Sequence, residues 1–242
     1  MKKLFLLFLL FSCNSVLSVG ELDRLAIKYG TDKSSKCHHY TYVYDKYFNS
    51  LRFENINFLE IGLAGCASAR MWEEYFPNAS LFFMDIMEES IKKGKAVLSK
   101  RSKCFLADQA NKNDLVCFTN NVNVKFDIII DDGGHTMEQQ INSFEVLFPY
   151  VKDGGVYVIE DLHTSYWEMY GGHGNIGSPK AEEGTAIKFL QNLVDAVNYI
   201  GSFTGYANRD LCPDSLKESL NYYQKNIESV HFYSSLCFIF KR

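Results

Sequence analysis

Beyond residue 18, short runs dense in β-branched and aromatic residues alternate with segments whose apolar positions recur every three or four residues. NFLEIG (57–62), SLFFMDI (80–86), KCFLAD (103–108), FDIIIDD (126–132) and GVYVIED (155–161) are five predicted strands. An uninterrupted apolar run such as Ile128-Ile129-Ile130 predicts a strand covered on both faces, as in a parallel sheet. Between the strands lie predicted helices with readable ends. One runs from Ala67 to Phe76 and stops at Pro77. A second runs from Thr136 to Phe148, with Met137, Ile141, Phe144 and Phe148 on one stripe and Thr136 and Gln139 spaced as a capping box. The succession is βαβ. SVHFY (229–233) and LCFIFK (236–241) are separated only by Ser234-Ser235, too little chain for a parallel crossover, so they predict an antiparallel hairpin. The expected fold is α/β: a Rossmann-like, mostly parallel seven-stranded sheet closed by a C-terminal hairpin.

With 242 residues, 47% hydrophobic and 15% aromatic, the chain can bury one sizeable core. A net charge of −4 argues against electrostatic capture of nucleic acid and towards a small-molecule partner. Residues 1–18 have a basic start (Lys2, Lys3), an apolar run from Leu4 to Phe11 and small residues suited to cleavage. They read as a signal peptide or N-terminal anchor, and any membrane contact is expected through that leader alone. The expected organisation is a leader (1–18), a helical cap segment (19–56) and a catalytic domain (57–242) with a glycine-rich mobile loop at 170–184. A homo-oligomer is compatible with this composition. Seven cysteines lack CxxC spacing, which argues against structural zinc and leaves their redox state open.

In open α/β sheets, ligands sit outside the carboxyl ends of the strands. Here those ends are consistently acidic or glycine. The first strand runs into Glu60, Gly62 and Gly65, with Ser68 opening the next helix. The second ends at Asp85, placed to accept hydrogen bonds from ribose hydroxyls, and the third leads to Asp108-Gln109, suited to an adenine amino group. Any one of these could be a helix cap. In register on successive strands they point to a nucleoside. GLAGCA lacks the GxGxxG spacing of a diphosphate cradle, which disfavours NAD and suits S-adenosylmethionine, a nucleoside cofactor without a diphosphate.

Strands four and five end in Asp131-Asp132 and Glu160-Asp161. Adjacent strands would bring these carboxylates close enough to repel, a cost that a divalent cation would remove. An oxygen-rich set without cysteine favours Mg²⁺ or Mn²⁺ over zinc. The alternative is that Asp131 and Asp161 only cap turns. His135 follows Asp132 across Gly133-Gly134 and could take a proton from a metal-bound hydroxyl, or could simply be a histidine hydrogen-bonded to a carboxylate. Asp131 is grouped with the cofactor contacts, its role the least defined. His163 and Tyr166-Trp167 could line an acceptor pocket, and Tyr29–Lys33 with His38-His39-Tyr40 could cover the cofactor.

Six segments in order resemble the Mg²⁺-dependent sugar O-methyltransferases of macrolide biosynthesis, of the mycinamicin and demethylmacrocin type. They are YGTDK (29–33), HHYTYVYDKYF (38–48), FLEIGLAGCASARMWEEYFPNA (58–79), DQ (108–109), FDIIIDDGGHTMEQQINSFEVLFP (126–149) and GGVYVIEDLHTSYW (154–167). The resemblance implies a class I methyltransferase in which Asp132, Glu160 and Asp161 ligate the metal and His135 is the general base. It also implies that the Glu60–Gly65 turn, Asp85 and Asp108 hold S-adenosylmethionine, and that the acceptor is a hydroxyl of a sugar or other polyhydroxylated small molecule. The chain departs from the family in having DDGGH where DDGSH is common, and Cys66 in its first turn. The leader also departs: it suggests export, whereas S-adenosylmethionine is a cytoplasmic metabolite. A metal-dependent hydrolase, or a non-catalytic binding protein on the same fold, are the rival readings.

Overall fold

A computed structural model describes residues 20–172, 180–205 and 208–242. The leader and residues 173–179 of the glycine-rich loop lie outside them. Seven strands form one sheet: β1 (Asn57–Ile61), β2 (Ser80–Asp85), β3 (Ser102–Leu106), β4 (Phe126–Asp131), β5 (Val151–Ile159), β6 (Ile227–Tyr233) and β7 (Leu236–Lys241), in the order β3-β2-β1-β4-β5-β7-β6. The first five are parallel; β7 runs antiparallel to both β5 and β6. All seven predicted strands are present. β5 starts earlier than predicted, at Val151, with a register irregularity against β4 between Phe126 and Ile128.

The strand side chains alternate between two cores, one on each face of the sheet. Phe58, Ile128, Ile130, Val156, Val158 and Phe238 face one. Leu59, Ile129, Tyr157, Ile159, Cys237 and Ile239 face the other. On the first face lie α1 (Glu21–Tyr29), α2 (Tyr40–Phe48), α3 (Ala67–Tyr75) and α4 (Glu88–Val97). α5 (Lys112–Val122), α6 (Met137–Leu147) and α7 (Ala186–Val197) cover the second. Shorter helices follow: α8 (Tyr199–Phe203), α9 (Asp214–Ser219) and α10 (Tyr222–Asn226).

The 19–56 segment, expected as a cap, shares a core with the sheet. Leu22, Leu25, Tyr44 and Phe48 are fully buried in the same cluster as Phe58, Trp72 and Phe76. Tyr44 stacks on Phe48 and meets Trp72 edge-on, which puts part of the aromatic content here. α6 carries the expected capping box, Thr136 with Gln139. Of the predicted stripe, Met137, Phe144 and Phe148 are buried and Ile141 only half-buried, while Gln140 and Leu147 join them inside. Gln140 is buried on a polar partner, its Nε2 donating to the Glu160 carbonyl at 2.9 Å. The six described cysteines are free thiols, and Cys66 and Cys104 are core filler. Among the described residues no helix is long and apolar enough to cross a membrane.

Candidate functional site

The strand order reverses between β1 and β4, where both neighbours' crossovers leave in opposite directions. That switch point opens a crevice at the carboxyl edge. β1 leaves it through Gly62, at φ +94°. A Cβ there would collide with the Asp132 carbonyl and lie 3.1 Å from Gly133 Cα, so only glycine lets the two loops pass. The next two amides, of Leu63 and Ala64, donate to Asp85 Oδ2 at 2.8 and 2.9 Å. Asp85 Oδ1 accepts from the Met87 amide at 2.7 Å. Asp85 thereby fixes the shape of the first turn while still facing the crevice.

The crevice is a cavity of about 160 Å3. Gly62, Asp85, Asp108 and Gln109 line it, together with Asp132 and the Gly133-Gly134 turn. Four of the sequence-predicted cofactor residues are thus brought together. A wider cleft of about 730 Å3 between α7, α8 and α10 lies away from the acidic strand ends and gathers none of these groups.

The remaining four cofactor candidates point elsewhere. Gly65 and Ser68 do not line the cavity. Glu60 is fully buried, with Oε2 accepting from Ser68 Oγ at 2.9 Å and Oε1 from Trp72 Nε1 at 3.0 Å. Burial drives its carboxyl up to about 7 against the opposing pull of Lys33. Asp131 is also fully buried. Its Oδ1 accepts from Gln109 Nε2 at 2.5 Å, and its Oδ2 accepts from the Ser143 hydroxyl. Burial raises its carboxyl to about 6, opposed by Ser143, His135 and Gln109. Gln109 Oε1 also accepts from the Gly134 amide at 3.0 Å. Asp131 and Gln109 therefore brace the β4 exit from behind, and this places the residue whose role the sequence left least defined.

The chemical end forms beside this cavity, and Asp132 belongs to both. Asp132, His135 and Asp161 bring one donor atom each to within 4.8 Å of one another. His135 Nε2 is 3.4 Å from Asp161 Oδ2 and 4.0 Å from Asp132 Oδ1. His135 Nδ1 is buried and finds no hydrogen-bond partner among the described residues. Asp161 Oδ1 accepts from the Tyr40 hydroxyl at 2.6 Å. Both His135 and Asp161 are held at positive φ, +58° and +55°. Left-handed backbone at a non-glycine residue costs about 1–3 kcal/mol, and two neighbouring cases mark a site whose geometry the surrounding structure imposes.

Glu160 is not part of this group of three. It is buried, with Oε2 2.8 Å from Lys33 Nζ and Oε1 accepting from the Tyr44 hydroxyl. Lys33 is wholly buried, also contacts Asp132 Oδ2 and lies 3.7 Å from Glu60. Burial alone would lower its pKa; Asp132, Glu160 and Glu60 together hold it well above the ordinary lysine value. The sequence argument for a metal rested on repulsion between the acidic pairs. For Asp132 and Glu160, Lys33 offsets only part of that repulsion: burial and the Asp132 charge still hold the Glu160 carboxyl well above the ordinary carboxylate value. Sequence reasoning passed over Lys33 and Tyr44 as acting groups, although both sit in the quoted YGTDK and HHYTYVYDKYF segments. Of the other candidates, His163 does approach the cluster, its Nδ1 3.9 Å from Asp161 Oδ1.

The carboxylate oxygens of Asp132 and Asp161, half-buried beside His135, fit a hard divalent cation. A sheet of this order, with an antiparallel last strand inserted beside β5 and a crevice at the β1/β4 switch point, is that of the α/β methyltransferases. No protein-family model matches the chain. It is 33% identical over 221 residues to L-olivosyl-oleandolide 3-O-methyltransferase of Streptomyces antibioticus, covering 88% of this chain and 52% of that protein. It is 32% identical over 228 residues to mycinamicin VI 2''-O-methyltransferase of Micromonospora griseorubida, covering 91% and 52%. MycE methyltransferase from the mycinamycin biosynthetic pathway, solved in complex with Mg and SAH, matches with a TM-score of 0.77 at 32% identity over 92% of this chain and 54% of that one. The chain is a homologue of the macrolide sugar O-methyltransferases, and it spans about half the length of the curated relatives it matches.

Proposed function

We propose that this chain is an S-adenosylmethionine-dependent O-methyltransferase that uses a divalent cation, Mg²⁺ or Mn²⁺, and acts on a hydroxyl of a sugar or another polyhydroxylated small molecule. The observation that carries this reading is the sharing of Asp132. The cavity lined by Gly62, Asp85 and Asp108 and the Asp132–His135–Asp161 group meet at that residue, so a nucleoside in the first would present its far end to the second.

Gly62 lets the nucleoside approach the β1 backbone, while Asp85 and Asp108 face it as acceptors. Asp132, Glu160 and Asp161 would hold the metal, which when bound supplies Lewis-acid polarisation of the acceptor oxygen. Of the His135 nitrogens, Nε2 faces the carboxylates and is the one to take the hydroxyl proton; Asp161, 3.4 Å away, stabilises the resulting imidazolium. Tyr40 orients Asp161 through its hydroxyl. The methyl donor is already activated, so most of the remaining work of these residues is alignment in a site closed from behind by Lys33 and Tyr44.

Calorimetric titration with S-adenosylmethionine, with and without Mg²⁺, tests the reading. Cofactor binding is expected in the full chain and in His135→Ala, with methyl transfer to a sugar acceptor lost in His135→Ala and in EDTA. Absence of S-adenosylmethionine binding to the wild type would refute it.

A further inference from the structure

Among the described residues, three buried side-chain polar atoms have no hydrogen-bond partner: Arg52 Nε, His135 Nδ1 and Gln140 Oε1. The last two belong to one corner of the site. Thr136 caps α6, so His135 stands just before the cap and Gln140 is the fourth residue of the helix. Side chains at those two positions commonly meet across a helix start, where an apolar pair forms a staple. Here the pair is polar, and its two orphaned atoms are complementary: a ring nitrogen able to donate and an amide oxygen able only to accept. We propose that Gln140 is a positioning residue for His135: through one bridging water its side-chain oxygen accepts from Nδ1–H, which fixes the tautomer whose Nε2 lone pair is free for the acceptor hydroxyl. The proposal rests on the assignment of His135 as the base made above.

The need for such a device is electrostatic. A neutral imidazole carries one proton, on either nitrogen. Asp161 Oδ2 and Asp132 Oδ1, 3.4 and 4.0 Å from Nε2, attract the proton to that nitrogen, where it would block the lone pair that the reaction uses. A buried Nδ1–H without an acceptor is costly, so without Gln140 the carboxylates prevail.

The surroundings hold both side chains for this task. Gln140 is wholly buried, and its Nε2 donates to the Glu160 carbonyl at 2.9 Å, so the amide cannot turn its oxygen to bulk solvent. The Thr164 hydroxyl lies 3.0 Å from the His135 carbonyl and 2.8 Å from that of Asp161, which ties the start of α6 to the exit of β5. The two side chains thus converge on the Glu160–Asp161 peptide, one bonding its carbonyl and the other facing the Asp161 carboxylate. A glutamine acting only as a strut between α6 and β5 would leave the proton to the carboxylates.

The test reads the tautomer directly by nitrogen NMR of the full chain, isotopically labelled in histidine, without metal and at a pH at which the ring is neutral. The His135 signals are assigned by their loss in His135→Ala. The wild type is expected to carry the proton on Nδ1. Gln140→Met, similar in size but without the oxygen, is expected to move it to Nε2 and to lower kcat about tenfold or more, with the dissociation constant for S-adenosylmethionine unchanged. Gln140→Glu keeps an acceptor oxygen at the same reach and is expected to keep the Nδ1–H form. A wild-type proton on Nε2, or a tautomer unchanged in Gln140→Met, overturns the proposal. If Gln140→Met does not fold, Gln140→Glu decides: Nδ1–H in that variant supports the proposal and Nε2–H overturns it. S-adenosylmethionine binding and methyl transfer by the wild type are measured in parallel. Because the tautomer is read without cofactor or metal, failure of the methyltransferase reading is seen separately from failure of the Gln140 assignment.

Discussion

Gly62→Ala places a methyl group where β1 and β4 exit side by side. At φ +94° an L-residue is strained, at about 1–3 kcal/mol. The added Cβ would also lie 2.7 Å from the Asp132 carbonyl carbon and 3.1 Å from Gly133 Cα, which are backbone atoms with no rotamer to yield. The loops cannot simply part, because the Gly62 amide donates to the Met84 carbonyl at 2.7 Å and the Asp132 amide to the Ile61 carbonyl at 2.9 Å. Overpacking of this kind costs about 1–3 kcal/mol further. The total, about 2–6 kcal/mol, is a large part of the roughly 5–15 kcal/mol that holds a domain folded. With a urea m-value of about 2–3 kcal/mol/M, the midpoint should fall by roughly 1–3 M. Gly154→Ala is the internal control: it has a similar φ of +78° but nothing within 4 Å of the new methyl, so it isolates the backbone strain. If Gly62→Ala loses no more stability than Gly154→Ala, the steric argument for the crossing of the two loops is wrong.

Three other predictions address separate parts of the site. Asp85→Ala removes the acceptor for the Leu63, Ala64 and Met87 amides and should weaken S-adenosylmethionine binding at least about tenfold by calorimetry, at a stability cost of about 1–3 kcal/mol; unchanged affinity would remove the turn from the cofactor site. Tyr40→Phe deletes the hydrogen bond to Asp161 and should lower kcat while leaving the dissociation constant for S-adenosylmethionine unchanged, a split that stopped-flow and equilibrium titration separate. Hydrogen bonds from Ser35 and Thr41 outweigh burial to hold the Asp23 carboxyl below its ordinary value. Its contribution is therefore present above the unfolded carboxylate range, near pH 4, and is lost as pH falls through the lower folded value. Asp23→Asn should be less stable than wild type at pH 7, with the gap closing in acid, as followed by urea unfolding at stepped pH; a gap that does not change with pH would contradict the assignment.

The sheet was legible because its signal is local. Runs such as Ile128-Ile129-Ile130 announce a doubly covered strand, and acidic residues recur at each carboxyl end. The two-residue Ser234-Ser235 link admits only a hairpin, and the structure has one there. What the sequence could not convey was direction at the strand ends. Glu60 and Asp85 both read as acids leaving strands, yet Trp72 and Ser68 draw Glu60 inwards while backbone amides hold Asp85 at the crevice. The helix stripe was misjudged only at Ile141, for a similar reason: a hydropathy pattern does not register that Gln140 has a carbonyl to meet at Glu160. Lys33 was the largest gap, since its partners are 99 and 127 residues away in the chain and no periodicity links them.

Those separations also tie the first helices to the strand ends electrostatically. Lys33 is the close cation that Glu60, Asp132 and Glu160, at the ends of β1, β4 and β5, share among the described residues, so a sheet without the first helices would leave these acids to repel one another. Docking is thus a latch with an electrostatic catch. Any excursion that lifts α1 and α2 from the sheet withdraws Lys33 and releases the repulsion at the same moment, which ties the exchange of amide hydrogens in that segment to the opening of the strand ends. A chain whose amino-terminal helices are loose has no half-formed version of this site; it has a sheet edge that repels itself.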